Sequence, residues 1–366
     1  MWEEVYTRAC ADSGVSPRNE ILALNNGTLE LCGNTFERFN HRITDDEVVA
    51  LSEACSRLPL VAVLHLAYND ISLRGAKTLA DALQHGFNSL QFLDLSYNNL
   101  NAEAVNAITS AIETHEVLGT LLLRGNPIGG ECGDSIMKLL QRTSSLTTLD
   151  LAGTDQDMKS IVQIARGLMQ NTTLTSLNLG RPLTDNPDDV AYSVHHLSLA
   201  LKENRTLKSL DLSHFSITDE LLRLLTSTLS DSAVVSLSLR GNKLSQDSGA
   251  TLAKLLQHRT DFILLDLTAN RLRDVGAVSL ATAVAAHPGL SELYLSSNSI
   301  GGTGITAIAK AIATNTSLTS LELWGNDFSD ESVAELYAIR EKITSMTNVD
   351  FSFYVVDEKP MLARER

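Results

Sequence analysis

The residues able to carry chemistry are present in this chain, but their spacing gives none of the usual catalytic arrangements. The nine histidines are scattered, and none forms the His-Glu-x-x-His pair that holds a metal on one helix face. Gly301-Gly-Thr-Gly304 and Gly129-Gly-Glu-Cys-Gly133 have the small residues of a phosphate cradle, yet neither ends in the Lys-Ser/Thr that reaches a nucleotide. Both are read as turns entering helices, where small residues serve backbone geometry. Cys10, Cys32, Cys55 and Cys132 lack metal-ligand spacing, so free thiols are expected, with no metal and no cofactor. Cys32 and Cys55 are assigned to the packing of an N-terminal cap, and His195 and His196 to the solvent side of an outer helix. No catalytic residue is assigned, and the chain is read as not an enzyme.

What recurs is a set of acidic, aromatic and amide residues at fixed places in a repeated phrase. In Leu90-Gln-Phe-Leu-Asp-Leu-Ser-Tyr-Asn-Asn-Leu100, apolar residues stand at places one, four, six and eleven, and Asn at nine. Copies begin at Val61, Leu90, Leu118, Leu146, Leu174, Leu207, Val234, Phe262, Leu290 and Leu318, most of them 28 residues apart. A fading copy starts at Met346, and an aberrant forerunner surrounds Leu29 and Leu31. Places four and six alternate with polar neighbours, which means a short strand buried on one side. Past place eleven the apolar spacing becomes three and four, as in Ile300 to Ile312, which is helical. A fixed period of strand and helix means stacked units, each burying its apolar side against its neighbours.

Strands stack at about 4.8 Å and helices at about 8–10 Å, so such an array must bend. The expected architecture is a right-handed α/β horseshoe, with parallel strands on the concave face and helices on the convex face. Asn69, Asn98, Asn126, Asn242, Asn270, Asn298 and Asn326 at place nine are read as a ladder satisfying backbone groups where the strand ends.

The phrase Leu-x-x-Leu-x-Leu-x-x-Asn-x-Leu with this period resembles the ribonuclease-inhibitor-like branch of leucine-rich repeat proteins. That branch includes ribonuclease inhibitor, the GTPase-activating protein of Ran, tropomodulin-like and NOD-like receptor repeats, and axonemal components. The resemblance implies a leucine-rich repeat solenoid. Beside the leading reading, a non-catalytic interaction scaffold, it leaves two alternatives: a GTPase-activating protein of the Ran-activating type, or an inhibitor of a basic enzyme. Membership of a ciliary axoneme is a further expectation by analogy.

Residues 1–25 are expected to form a helical cap, 26–354 a solenoid of about eleven to twelve units, and 355–366 an extended tail. Three neighbouring units have Thr154, Pro182 and Phe215 in place of the ladder Asn, and the Leu174 unit carries an extra acidic run, Thr184-Asp-Asn-Pro-Asp-Asp189. That run is read as a helix start that favours Asp. The sequons at Asn171, Asn204 and Asn315 share one turn before a strand, and turn chemistry explains them. A net charge of −15 disfavours nucleic acid and anionic membranes as partners and favours a protein with a basic surface. No secretory signal and no run of about 20 apolar residues is found, so a cytoplasmic location, in the cytoskeleton or cilium, is expected.

Places five, seven and eight point away from the buried side. Place five is acidic at Asp94, Asp150, Asp211, Asp266, Glu322 and Asp350, and nowhere Lys or Arg. Tyr68, Tyr97, Arg124, Arg181, Arg240, Trp324 and Phe353 stand beside them, types enriched at binding hot spots. The candidate partner-binding set is therefore Tyr68, Asp94, Tyr97, Arg124, Asp150, Arg181, Asp211, Arg240, Asp266, Glu322, Trp324 and Phe353.

Overall fold

Each leucine phrase becomes a short strand and each spacer a helix in the computed structural model, which describes residues 1–184 and 186–365. The chain divides into two compact units, Met1–Thr184 with Glu203–Leu207, and Asp185–Lys202 with Lys208–Arg366.

The first unit opens with α1 (Trp2–Ser13) and α2 (Asn19–Leu22), then β1 (Thr28–Glu30) and α3 (Asp45–Arg57). It continues with β2 (Val63–His65), α4 (Leu73–His85), β3 (Phe92–Asp94), α5 (Ala102–Ile112), β4 (Thr120–Leu122) and α6 (Gly133–Arg142). It ends with β5 (Thr148–Asp150), α7 (Met158–Gln170) and β6 (Ser176–Asn178). Its strands pair in parallel in sequence order, the place-four leucines in register, as Leu64, Leu93, Leu121 and Leu149 show. Helix α1 packs on α3, burying Tyr6, Ala9 and Cys10, and the Trp2 indole donates to the Ile21 carbonyl at 2.7 Å.

The second unit begins with α8 (Pro187–Glu203), β7 (Ser209–Asp211), α9 (Asp219–Leu229), β8 (Ser236–Ser238) and α10 (Asp247–His258). Then come β9 (Leu264–Asp266), α11 (Arg273–Val284), β10 (Glu292–Tyr294), α12 (Gly302–Thr314), β11 (Ser320–Glu322) and α13 (Asp330–Ala338). It closes with α14 (Arg340–Thr344), β12 (Asn348–Val349), β13 (Phe351–Val356) and β14 (Lys359–Arg364). The parallel register again aligns Leu210, Leu237, Leu265, Leu293 and Leu321. Asp188 and Asp189 lie in the first turn of α8 behind Pro187, the arrangement a helix start favours; Asp185 lies outside the described residues.

Two differences from the sequence reading stand out. Residues after Tyr354 are not a lone extended tail: β13 and β14 form an antiparallel hairpin around Asp357 and Glu358, both left-handed at φ 48° and 65°. A two-residue loop of this kind ordinarily announces itself as Asn-Gly, and Asp-Glu gives no such signal; Arg366 lies outside the described residues. Cys55 is buried in α3, but Cys32 lies beyond the end of β1 and is only partly covered.

The place-nine amides explain how each unit holds its turns. Asn298 donates to the Leu267 carbonyl of the preceding repeat at 2.8 Å and to the Leu295 carbonyl of its own at 3.0 Å, and accepts from the Leu272 N–H at 3.3 Å. Asn98, Asn126, Asn242, Asn270 and Asn326 span the same pair of carbonyls. At Thr154 the hydroxyl reaches only its own repeat, the Leu151 carbonyl at 2.6 Å, and Gln156 supplies the bond to the preceding one through the Gly129 carbonyl at 3.3 Å.

A second polar row lies where helices return to strands. The sequon amides of Asn171, Asn204 and Asn315 are buried and donate to Leu140, Leu168 and Val284 carbonyls at 2.7, 2.9 and 2.8 Å. In the folded chain these nitrogens are committed to turns. His115 and His287 hold the corresponding place, each accepting backbone N–H bonds on Nδ1 and bonding the preceding repeat through Nε2.

Replacing Asn298 by Ala leaves the Leu272 N–H without its acceptor and removes one of the two amide donors to each of the Leu267 and Leu295 carbonyls, which Asn270 and Asn326 still reach. Asn298→Ala should therefore lower unfolding free energy by about 1–3 kcal/mol in urea melts. Asp327→Ala, at the exposed residue after the ladder's Asn326, should stay within about 0.5 kcal/mol; equal effects would deny the ladder its role.

Candidate functional site

The acidic row at place five is built by the turn that follows it. The Asp94 carboxylate accepts the Ser96 N–H at 2.9 Å, Asp150 that of Ala152 at 2.8 Å, Asp211 that of Ser213 at 2.7 Å and Asp266 that of Thr268 at 2.9 Å. This is the local bond by which Asx side chains stabilise turns. Asn178 makes the same bond to the Gly180 N–H at 2.9 Å, so the bond needs an acceptor oxygen and the charge is additional. The Asp94 side chain is only 14% exposed, so these groups are anchored rather than merely displayed on a solvated face.

Register also sets neighbouring acids apart. In the first unit place five reads Glu30, His65, Asp94, Leu122, Asp150 and Asn178 across paired strands. In the second it reads Asp211, Ser238, Asp266, Tyr294 and Glu322. Acid alternates with non-acid throughout, leaving carboxylates about two strand spacings, roughly 9.6 Å, apart. Asp350, in the residue after β12, breaks the alternation. Burial first, then Asp350 and Asp266, hold the Glu322 carboxyl above the ordinary carboxylate range.

Place eight is left-handed in every repeat from Tyr68 to Gly325, with φ of 60° at Tyr68, 55° at Tyr97, 57° at Arg181 and 55° at His214. A ring there lies over the next repeat. A Cβ on Gly125 would meet the Tyr97 ring at 2.4 Å, and one on Gly241 the His214 ring at 2.4 Å, so glycine is required beneath each ring. Tyr68 and Tyr97 tolerate each other by stacking, centroids 4.4 Å apart and planes 13° apart.

The structure brings the candidate residues into two groups. In the first unit the Tyr68–Tyr97 stack carries Arg124, whose Nε donates to the Tyr97 hydroxyl at 3.1 Å, with Asp94 alongside. Near it Glu30, Cys32 and His65 place ligand atoms within 4.8 Å of one another, the one metal-competent group of three or more among the described residues. In the second unit Arg240, Glu322, Trp324 and Phe353 line a cavity of about 810 Å³ with Asp350 and Arg364. Asp350 also takes up N–H groups beyond the end of β12: it accepts those of Leu323 and Trp324 at 2.8 and 2.9 Å and the Ser296 hydroxyl at 2.7 Å. Phe353 is partly committed to Phe351 and Tyr337, at 5.7 Å from each ring. Asp150, Arg181, Asp211 and Asp266 fall outside both groups; Asp150 contacts Asn178 at 3.4 Å and Asp266 the Ser238 hydroxyl at 3.1 Å.

Asp266→Asn keeps the acceptor and should leave the melting temperature unchanged, whereas Asp266→Ala should cost about 1–3 kcal/mol. Calorimetry on both variants checks this, and equal melting would mean the turn does not need the bond.

Comparison with known proteins agrees with the geometry. A leucine-rich repeat family model matches residues 60–80, 88–108, 203–220, 288–309 and 314–336. The human protein described as "NACHT, LRR and PYD domains-containing protein 13" is 32% identical over 202 residues, 55% of this chain and 19% of its own length. A Caenorhabditis elegans "Protein phosphatase 1 regulatory subunit 37 homolog" is 27% identical over 223 residues, 56% of this chain and 20% of its own length. The chain thus spans about a fifth of the length of the curated relatives it matches. The yeast Rad7 and Elc1 complex structure shares the fold with a TM-score of 0.52 at 17% identity, over 95% of this chain and 87% of that one. Among the described residues no helix is long and apolar enough to cross a membrane. Matched phrases, strands paired in parallel register within each unit and helices between them make this chain an α/β leucine-rich repeat solenoid.

Proposed function

We propose that the chain is a non-catalytic protein-interaction scaffold that holds partners with basic surfaces on its strand face. One observation carries the reading: backbone N–H groups fix the place-five carboxylates beside aromatic and Arg side chains that the left-handed turn orients. Such groups lose little conformational freedom when a partner arrives, which favours affinity. The Tyr68–Tyr97–Arg124 group offers a flat anchor in the first unit, and the Trp324 cavity a recess in the second. The relative described as a phosphatase regulatory subunit is a precedent for action through a bound protein.

The test is affinity capture from cell extract with identification of bound proteins. Asp94→Asn with Asp150→Asn, and separately Glu322→Gln, remove charge while keeping acceptors; Tyr97→Ala and Trp324→Ala remove anchors. The partner should be lost from at least one set of variants without a fall in melting temperature. Retention by all of them would overturn the reading. Small GTPases incubated with the chain should hydrolyse GTP at their own rate; acceleration would instead favour activation of a GTPase. Because burial and neighbouring acids raise the Glu322 pKa, its charge is lost earlier than usual as pH falls. Capture that depends on Glu322 should therefore weaken on going from neutral to mildly acidic buffer, and Glu322→Gln should flatten that dependence.

A further inference from the structure

We propose that Glu30, Cys32 and His65 form a zinc-binding site at the start of the strand face in the first unit. Glu30 and Cys32 stand at places five and seven of the forerunner repeat, and His65 at place five of the next, paired with Glu30 across β1 and β2. Their ligand atoms lie within 4.8 Å of one another, and His65 Nε2 is 3.4 Å from Glu30 Oε1. Ligand atoms about a tetrahedral zinc are spaced roughly 3.3–3.8 Å apart, given bonds of about 2.0–2.3 Å. Closing the set requires side-chain adjustment of about 1 Å or less.

The donors are one thiol sulfur, one imidazole nitrogen and one carboxylate oxygen, a set suited to zinc and poorly suited to calcium or magnesium, which take oxygen alone. An independent feature lies behind the histidine. While Nε2 faces Glu30, Nδ1 faces Asp94 Oδ2 at 3.9 Å, and the ring rests on Phe92 at 4.6 Å. A ligating histidine ordinarily bonds a carboxylate through its other ring nitrogen, which fixes the tautomer; at 3.9 Å the Asp94 oxygen is beyond hydrogen-bond reach, and a shift of about 1 Å would make that bond. Asp94 is itself held by the Ser96 N–H, so that support is rigid. Glu30 is 65% exposed on its side chain, leaving the outer side of the site open for a water or a partner's side chain as fourth ligand. Cys32 would bind as thiolate, its proton passing to solvent.

The test uses the full chain, purified free of metal, titrated with zinc chloride and, separately, with cobalt(II), whose thiolate charge-transfer band reports sulfur ligation. One zinc should bind per chain, the cobalt band should appear, and zinc should raise the melting temperature. Cys32→Ser should abolish the band, His65→Gln should weaken zinc binding at least about tenfold, and Asp94→Asn, acting through His65, about tenfold. Melts of the metal-free variants that overlay the parent's exclude unfolding as the cause. Absence of the band from the parent, or its survival in Cys32→Ser, would overturn the proposal.

Discussion

The structure depends on one constraint: carbonyls at place six lie at the end of the strand, buried, where the chain turns inward and loses its strand pairing. An unpaired buried carbonyl costs on the order of 1–3 kcal/mol, and each repeat has one. A place-nine amide donates to two of them at once, its own and its predecessor's, so a single residue type turns a liability into a bond between repeats. Its oxygen then takes N–H groups from the preceding turn, as Asn242 does for Phe215 and Ile217 at 3.1 and 2.9 Å. The repeats without Asn adjust in ways chemistry allows. Thr154 borrows the amide of Gln156, and Pro182 has no N–H to be satisfied.

Reaching that amide requires a tight turn, and the turn dictates the face available for binding. Place eight must be left-handed, which excludes β-branched side chains and admits glycine, alanine, serine or a residue whose side chain can lie along the surface. At Asp94, Asp150, Asn178, Asp211 and Asp266 place five offers an acceptor to the N–H of place seven. The chain uses Asp for this at several repeats although Asn178 shows that an uncharged amide serves as well. Charge at place five is thus a choice the fold does not force, and this separates the acidic face from a by-product of turn formation.

Much of this was legible in the sequence, and the remainder was hidden for definite reasons. The period of leucines places the strands, and the Asn spacing the ladder, because both follow from local geometry repeated many times. The alternation of acid and neutral residues at place five could also be read once parallel register was assumed, since it is simply the order Asp211, Ser238, Asp266, Tyr294, Glu322. What the residues alone could not reveal is that each Asp is held by its own turn, because an exposed acid and a turn acceptor look identical as letters. Cys32 and His65 fit no motif because register across strands, rather than spacing along the chain, brings them together. The hairpin was missed because Asp357-Glu358 adopts a turn for which its composition gives no warning.

The bulk at places seven and eight argues further about how such a face recognises anything. Where place seven is large, at Arg124, Arg240 and Trp324, place eight is glycine: Gly125, Gly241 and Gly325. Where place eight is large, at Tyr68, Tyr97, Arg181 and His214, place seven is small: Ala67, Ser96, Gly180 and Ser213. Each turn therefore carries at most one large side chain, and at Gly125 and Gly241 the ring of the preceding repeat occupies the space a Cβ would need. Strands about 4.8 Å apart bring such side chains of successive repeats together only where they stack or bond, as Tyr68, Tyr97 and Arg124 do. If the strand face binds a partner, as we propose, affinity there would be assembled from several shallow contacts whose spacing the partner has to match, and specificity would reside in the order of repeats more than in any single residue.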